Sequence, residues 1–365
     1  GVDVSEVFAS IGGNQVSSLN STGQIAIDPS GRNRETVITD NAKKRAIDAS
    51  KSIVLPYGKR YLHTIPREYI VNGSQSYKNK DIGELIGATG VRLEVKAHLV
   101  MANLTACKKI DDCISHLGLV NKTPTLKTLA ASIATLHEEE MELGSILIDL
   151  GGGTTDVMVI YDGAPIYTTS IPFGGKDVTS DISKVKGISF AAAEEIKLKY
   201  GTAWFYESDA DEEIPIATSS GRPPEESSKS EICTIIQSRL AEIFDMVKQN
   251  VRKHSGLTSL NGCIVLTGGG ALMDGVVQLC QSVWRTSAVR RGESPDLGSL
   301  ESNNDAKLDY RQADFATAVG LVVANKAIFE SKGARHSKIE DKSGKGGGLL
   351  KEALHKLKEG FDNCF

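Results

Sequence analysis

The chain has 365 residues, 40% of them apolar and 24% charged, with a formal net charge of −4. That composition predicts a soluble globular protein of two or three domains, and the near-neutral charge offers no field for nucleic acid. No apolar run reaches the ~18 residues of a membrane span and no signal peptide is present, while the six cysteines (Cys107, Cys113, Cys233, Cys263, Cys280, Cys364) carry no C-x-x-C or Cys/His metal spacing and fit reduced cytosolic thiols.

The chain opens on Gly1, as a fragment would. Residues 7–11 and 23–27 read as short strands around Gly12-Gly13-Asn14. A helix is expected over 40–52 with Asp40 as its N-cap. Residues 61–71 and 90–100 alternate as strands do, and 102–117 is an amphipathic helix stopped by Gly118. Residues 126–136 then lead into an apolar run at 146–148. Further on, Asp162-Gly163 marks a tight turn and Pro172-Phe173-Gly174-Gly175 a glycine break. Helical patterns cover 190–200 and 230–254, separated by an acid-rich solvated loop over 207–228. A helix over 310–327 and a flexible Lys/Ser/Gly linker over 332–348 follow.

Two glycine turns carry the chemistry. The first is Asp149-Leu150-Gly151-Gly152-Gly153-Thr154-Thr155-Asp156, set between apolar runs as a β-hairpin with a bare turn. The second, Thr267-Gly268-Gly269-Gly270-Ala271, follows the buried-type strand Cys263-Ile264-Val265-Leu266. Glycines without a Cβ let backbone N–H groups approach a phosphate chain. Asp149 and Asp156 offer the hard oxygens that a Mg²⁺ bridging those phosphates needs. Neither turn matches the common P-loop or dinucleotide patterns. The pair predicts nucleotide binding.

This pairing resembles the actin/Hsp70/sugar-kinase superfamily, whose second phosphate loop reads D-(L/I)-G-G-G-T-(T/F)-D and whose adenosine turn reads (L/V)-T-G-G-(G/A). Four further stretches, in order, resemble the FtsA family of bacterial cell-division actin homologues. Leu62-His63-Thr64-Ile65-Pro66-Arg67-Glu68 resembles its L-H-x-(I/L)-P-Q-E signature, and Gly90-Val91-Arg92-Leu93-Glu94-Val95 through His98 its G-V-R strand. Gly221-Arg222-Pro223-Pro224 resembles its G-G-R-P-P loop, and Ala316-Thr317-Ala318-Val319-Gly320-Leu321 its closing helix. The resemblance implies an α/β, actin-like (ribonuclease H-like) ATPase fold with an inserted α+β subdomain of SHS2 type. Its divisions fall at 1–101 (subdomain 1C), 102–140 (the rest of 1A), 141–178 and 262–328 (2A), 179–261 (2B), 329–348 (linker) and 349–365 (a membrane-targeting helix). It also implies a D-x-G-(T/S)-(T/S) phosphate-1 hairpin before Val7. These residues do not contain one, so the first part of 1A is expected to be missing and ATP to bind weakly.

By the same resemblance, Asp149 orders Mg²⁺ and water, and the amides of Gly151, Gly152, Gly153 and Thr154 hold the β- and γ-phosphates. Gly268, Gly269, Gly270 and Ala271 receive the base and ribose. Two readings stand for Thr155 and Asp156, ligand contact or hairpin shaping. Glu194 and Lys197, at i and i+3 on a helix, are read as an adenosine contact in the family context and as a surface ion pair without it. Lys127 stands where the family often has a water-orienting glutamate. An ammonium cannot accept a proton, so weak or no hydrolysis is expected from a nucleotide-gated assembly protein.

In 349–365, Leu349, Ala353, Leu354, Leu357, Phe361, Cys364 and Phe365 fall in an arc of about 160°. Lys351, Lys356 and Lys358 sit at its edges, which suits an in-plane anchor with Leu350, Leu354, Leu357 and Phe361 buried in lipid. The FtsA resemblance then implies a peripheral protein on the cytoplasmic face of the membrane at the septum. It would self-associate into filaments, bind the C-terminal tail of the tubulin-like protein FtsZ, and meet other division proteins through 1C. The alternatives are a PilM-like pilus-assembly protein and a small-molecule kinase of the same fold.

Overall fold

The computed structural model describes residues 5–30, 34–121, 124–205, 213–216, 225–256, 262–295 and 309–333. The expected anchor helix at 349–365 and the Gly221-Arg222-Pro223-Pro224 loop lie outside them.

The inserted subdomain is an antiparallel sheet of β1 (Val16–Ala26), β2 (Lys59–Val71), β3 (Gln75–Lys78) and β4 (Arg92–Asn103), in the order β1-β4-β2-β3, with α1 (Asp40–Ser50) on one face. Leu93 and Val95, two apart on β4, point to that face and bury with Ala42, Ala46 and Ile47 of α1. Gly23 must be glycine because the α1 backbone at Ala46 and Ser50 occupies the space of its Cβ. Two expectations change here. β1 begins at Val16 rather than 23, since its polar first half pairs with β4 in spite of turn-like composition. The N-cap of α1 is Thr39, whose hydroxyl accepts from Ala42 N, and Asp40 takes the first turn, where the helix dipole favours an acid.

The chain continues through α2 (Leu104–His116) and α3 (Lys127–Thr135) into the main sheet. Its strands are β5 (Ser145–Leu150), β6 (Thr155–Tyr161), β7 (Ala164–Ile171), β8 (Ile264–Thr267) and β9 (Val289–Arg291), ordered β7-β6-β5-β8-β9. β5 to β7 are antiparallel neighbours, and β8 and β9 continue in parallel. Every residue of β5 is buried, as a central strand covered on both faces requires. Ile146, Ile148 and Leu150 pack with α4 (Gly175–Lys186), α5 (Phe190–Tyr200), α6 (Lys229–His254) and α7 (Val276–Trp284). Leu147 faces the opposite way, toward α3 and the inserted sheet.

The closing helix α8 (Ala316–Gly333) runs past the expected end at 327. Gly320 lets it lie directly on the backbone of Ala130 in α3. The expected strand at 7–11 is two short ones, Glu6–Val7 and Ser10–Ile11, which pair in parallel with Val120–Asn121 and Thr125–Leu126. The expected loop at 207–228 contains a hairpin, Glu213–Ile216 with Glu225–Ser228, because Ile214 and Ile216 are buried. The glycine break at 172–175 opens helix α4, whose Asp177 carboxylate accepts from Gly174 N at 2.8 Å.

Candidate functional site

The β5–β6 register sets Asp149 directly opposite Asp156. Such a pair shares one face of the sheet, and like charges placed so are destabilising. Both are buried, at 1% and 3% exposure. The Lys127 ammonium lies between them, with Nζ 2.9 Å from Asp149 Oδ1 and 3.3 Å from Asp156 Oδ2. Burial raises the Asp149 carboxyl, opposed by Lys127 and by a hydrogen bond from Thr317 at the start of α8. Burial alone would lower the Lys127 ammonium, but the two carboxylates outweigh it and raise it.

Three backbone arrangements put Lys127 there. Ile11 pairs in parallel with Leu126, so Gly12 runs beside Lys127. Leu126 N donates to Nε2 of His63 at 2.9 Å, which ties the start of α3 to β2 of the inserted sheet. Gly12 has no side chain to push the lysine stem away: a Cβ there would stand 3.0 Å from Lys127 Cβ and 3.2 Å from Asp156 Oδ2. Gly13 N then donates to Asp156 Oδ1 at 2.9 Å. Gly12, Gly13, Leu126, Thr128 and Asp156 line a small cleft. Sequence reasoning had passed over Gly12-Gly13 as a mere break. The available signal was a third glycine pair between strands.

The two recognised glycine turns meet because β8 lies beside β5, with Asp149 opposite Thr267. Gly268 has φ +82°, and its Cβ would fall 2.5 Å from Asp149 Oδ1 and 2.7 Å from Leu150 O. Gly270 presses on Leu150 in the same way, and Ala271 is fully buried. Gly151 N donates to Thr154 O at 2.9 Å, so this amide closes the hairpin. By contrast, a Cβ on Gly152, Gly153 or Gly269 would meet nothing within 4 Å. The protein's own packing does not ask for glycine at these three positions. Thr155, fully buried, donates its hydroxyl to Phe173 O at 2.9 Å, the geometry of a hairpin-shaping residue.

Glu194 and Lys197 do pair, at 2.7 Å, but not as a loose surface contact. Lys197 Nζ also donates to Thr179 Oγ1 at 2.8 Å and to Gly175 O at 3.1 Å, and Thr179 donates to Glu194. Gly175 N and Lys176 N in turn donate to the carbonyls of Gly151 and Gly152 at 2.9 and 2.7 Å. The pair therefore braces the phosphate-type hairpin through the start of α4. Lys197 is the sunken member (9% exposed), and Glu194 is the accessible one (36%).

The open cradle at Gly152, Gly153 and Gly269 fits a phosphate chain and a flat base. A Mg²⁺ fits less well. The two carboxylates expected to serve it already share the Lys127 ammonium.

Residues 146–320 match the family model of the cell division protein FtsA, and residues 13–101 match that of the SHS2 domain inserted in FtsA. A cell division protein FtsA from Borreliella burgdorferi is 36% identical over 324 residues, covering 88% of this chain and 75% of the relative. The chain belongs to the FtsA family. A second FtsA, from Neisseria meningitidis serogroup B, is 33% identical and covers 99% of this chain and 82% of its own. Among solved structures, a PilM-PilN type IV pilus biogenesis complex superposes with TM-score 0.52 at 18% identity, over 84% of this chain and 76% of that one. At that identity the pilus likeness is one of fold alone. This chain is a bacterial cell-division protein with an actin-like fold and an inserted SHS2 subdomain.

Proposed function

We propose that this FtsA-family chain binds ATP, with the β- and γ-phosphates over the amides of Gly152, Gly153 and Thr154 and the adenosine against Gly268 to Ala271, within reach of Glu194. The observation that carries the reading is that the two turns hold three glycines, Gly152, Gly153 and Gly269, where an added Cβ would meet nothing in the protein. They lie on the two turns that β5 and β8 bring side by side. Hydrolysis is weak or absent, because Lys127 supplies a donor where water activation wants an acceptor. The site gates self-association into filaments. These bind the FtsZ tail, lie on the cytoplasmic face of the membrane through Leu350, Leu354, Leu357 and Phe361 with Lys351 and Lys358 at the interface, and recruit later division proteins through the inserted subdomain. The chain divides for these tasks at 101, 140, 178, 261, 328 and 348.

Calorimetric titration of the full-length protein with ATP tests the site. Gly153→Ala should weaken ATP about tenfold or more, a loss of roughly 1.4 kcal/mol, with an unchanged melting temperature. Equal affinity in both proteins would remove the phosphate assignment. For the membrane role, Leu354→Glu with Phe361→Glu should release the protein from liposomes and leave ATP binding intact. Undiminished sedimentation with liposomes would contradict it.

A further inference from the structure

The Asp149–Asp156 pair presents the electrostatic demand that a metal ion commonly meets: two carboxylates facing each other across a strand pair, almost wholly removed from water. This chain meets it from within. Lys127 Nζ touches one oxygen of each acid. Gly12 makes room for its stem, since a Cβ on that glycine would stand 3.0 and 3.1 Å from Lys127 Cβ and Cδ. The backbone just before it is fixed by His63. The second oxygen of Asp156 takes the Gly13 N–H, and Asp149 takes the Thr317 hydrogen bond.

We infer that the Lys127 ammonium is the resident counter-cation of the Asp149–Asp156 pair, standing where a divalent metal would stand, so that this chain binds nucleotide without one. A Mg²⁺ entering here would have to oppose or displace the ammonium that already lies against both acids. Lysine is a compact charge with three donors. One of them goes to Asp156 Oδ2, the charge also faces Asp149 Oδ1, and Nζ lies 3.4 Å from the point where a Cβ on Gly151 would be, at the foot of the phosphate-type hairpin. The ammonium thus stands beside that hairpin, where a remaining donor can turn toward a bound phosphate oxygen.

The metal part of this inference stands by itself, and the nucleotide part rests on the function proposed above. The first measurement is Mn²⁺ binding to the full-length protein, without nucleotide, by electron paramagnetic resonance. The wild-type protein should bind no Mn²⁺ that Asp149→Asn removes. Lys127→Gln should gain such a site, and adding Asp149→Asn should abolish it. Asp149-dependent Mn²⁺ binding by the wild type, or no gain in a folded Lys127→Gln, overturns the inference. If Lys127→Gln does not fold, the wild-type titration alone decides. In the second measurement, ATP affinity of the wild type should differ by less than about twofold between Mg²⁺ and EDTA, and that of Lys127→Gln by about tenfold or more. A wild type as metal-dependent as the variant contradicts the inference. Absence of ATP binding under every condition removes the nucleotide site, and the Mn²⁺ result then judges the lysine.

Discussion

In the inserted sheet, the two buried histidines are neutral and hydrogen-bond neutral partners. His98 Nδ1 lies 2.8 Å from Asn20 Oδ1 and Nε2 3.0 Å from Thr168 Oγ1, while Ser18 Oγ and Asn20 Nδ2 donate to the carbonyls of Thr168 and Ile166 on β7. His63 accepts the Leu126 N–H. Around the glycine turns the buried groups are charges instead, Asp149 and Asp156 against Lys127, and Lys197 against Glu194. Neutral networks are satisfied within the protein and fix one subdomain on another. Charged networks respond strongly to an incoming ion, because the interior screens them poorly. The first region therefore locates the second, and the second is the one equipped to meet a phosphate.

The largest expected effect separates the two by pH. Burial lowers His63 to about 4 and His98 to about 3. Below about pH 6.5 the unfolded chain takes up protons that the folded rings refuse. The stability present at pH 7 is thus lost as pH falls from about 6.5 toward those values. Between pH 6.5 and 4 the two rings together remove roughly 5 kcal/mol, read as a falling urea midpoint. His98→Gln should cut that fall by about half, and an unchanged pH profile would show that the rings are not held neutral.

The charged region should respond at constant pH. Lys127→Ala leaves two facing carboxylates uncompensated and should cost about 3 kcal/mol at pH 7. Adding Asp156→Asn should restore most of it. If Lys127→Ala costs less than about 0.5 kcal/mol, the triad is not held together by charge. The smallest effects divide the glycines. Gly268→Ala should cost about 2 kcal/mol, because φ +82° and contact with Asp149 both oppose a Cβ. Gly269→Ala, with nothing within 4 Å, should cost less than about 0.5 kcal/mol and act on ATP affinity instead.

The hairpin 145–161 was legible because two apolar runs bracket an acid-glycine turn, a pattern with one backbone solution. Helix α4 was not. Its Gly175-Lys176-Asp177-Val178-Thr179-Ser180 start has loop composition, and the helix exists because Val178 and Ile182 bury in the main core. The first half of β1 was missed for a related reason: its polar residues look like a turn until β4 pairs with their backbone and β7 accepts from Ser18 and Asn20. In the site, the acids and both glycine turns were readable from local pattern. The position of the Lys127 ammonium and the contribution of Gly12-Gly13 were not, since each depends on pairing between segments over a hundred residues apart, and the bracing role of Lys197 was not, since it depends on the start of α4 at Gly175 and Thr179. His63 and His98 stood within quoted family stretches, but only packing reveals their work.

The central proposal is that Gly152-Gly153 and Gly269 belong to one nucleotide site, to which Gly13 is coupled through Asp156. Hydrogen–deuterium exchange of the full-length protein, with and without ATP, tests it most directly. The account predicts slowed exchange in peptides covering 150–156 and 267–272 together, with 10–15 following through Gly13 and Asp156. Slowing in only one of the two glycine turns, or in neither while ATP is bound, would contradict it.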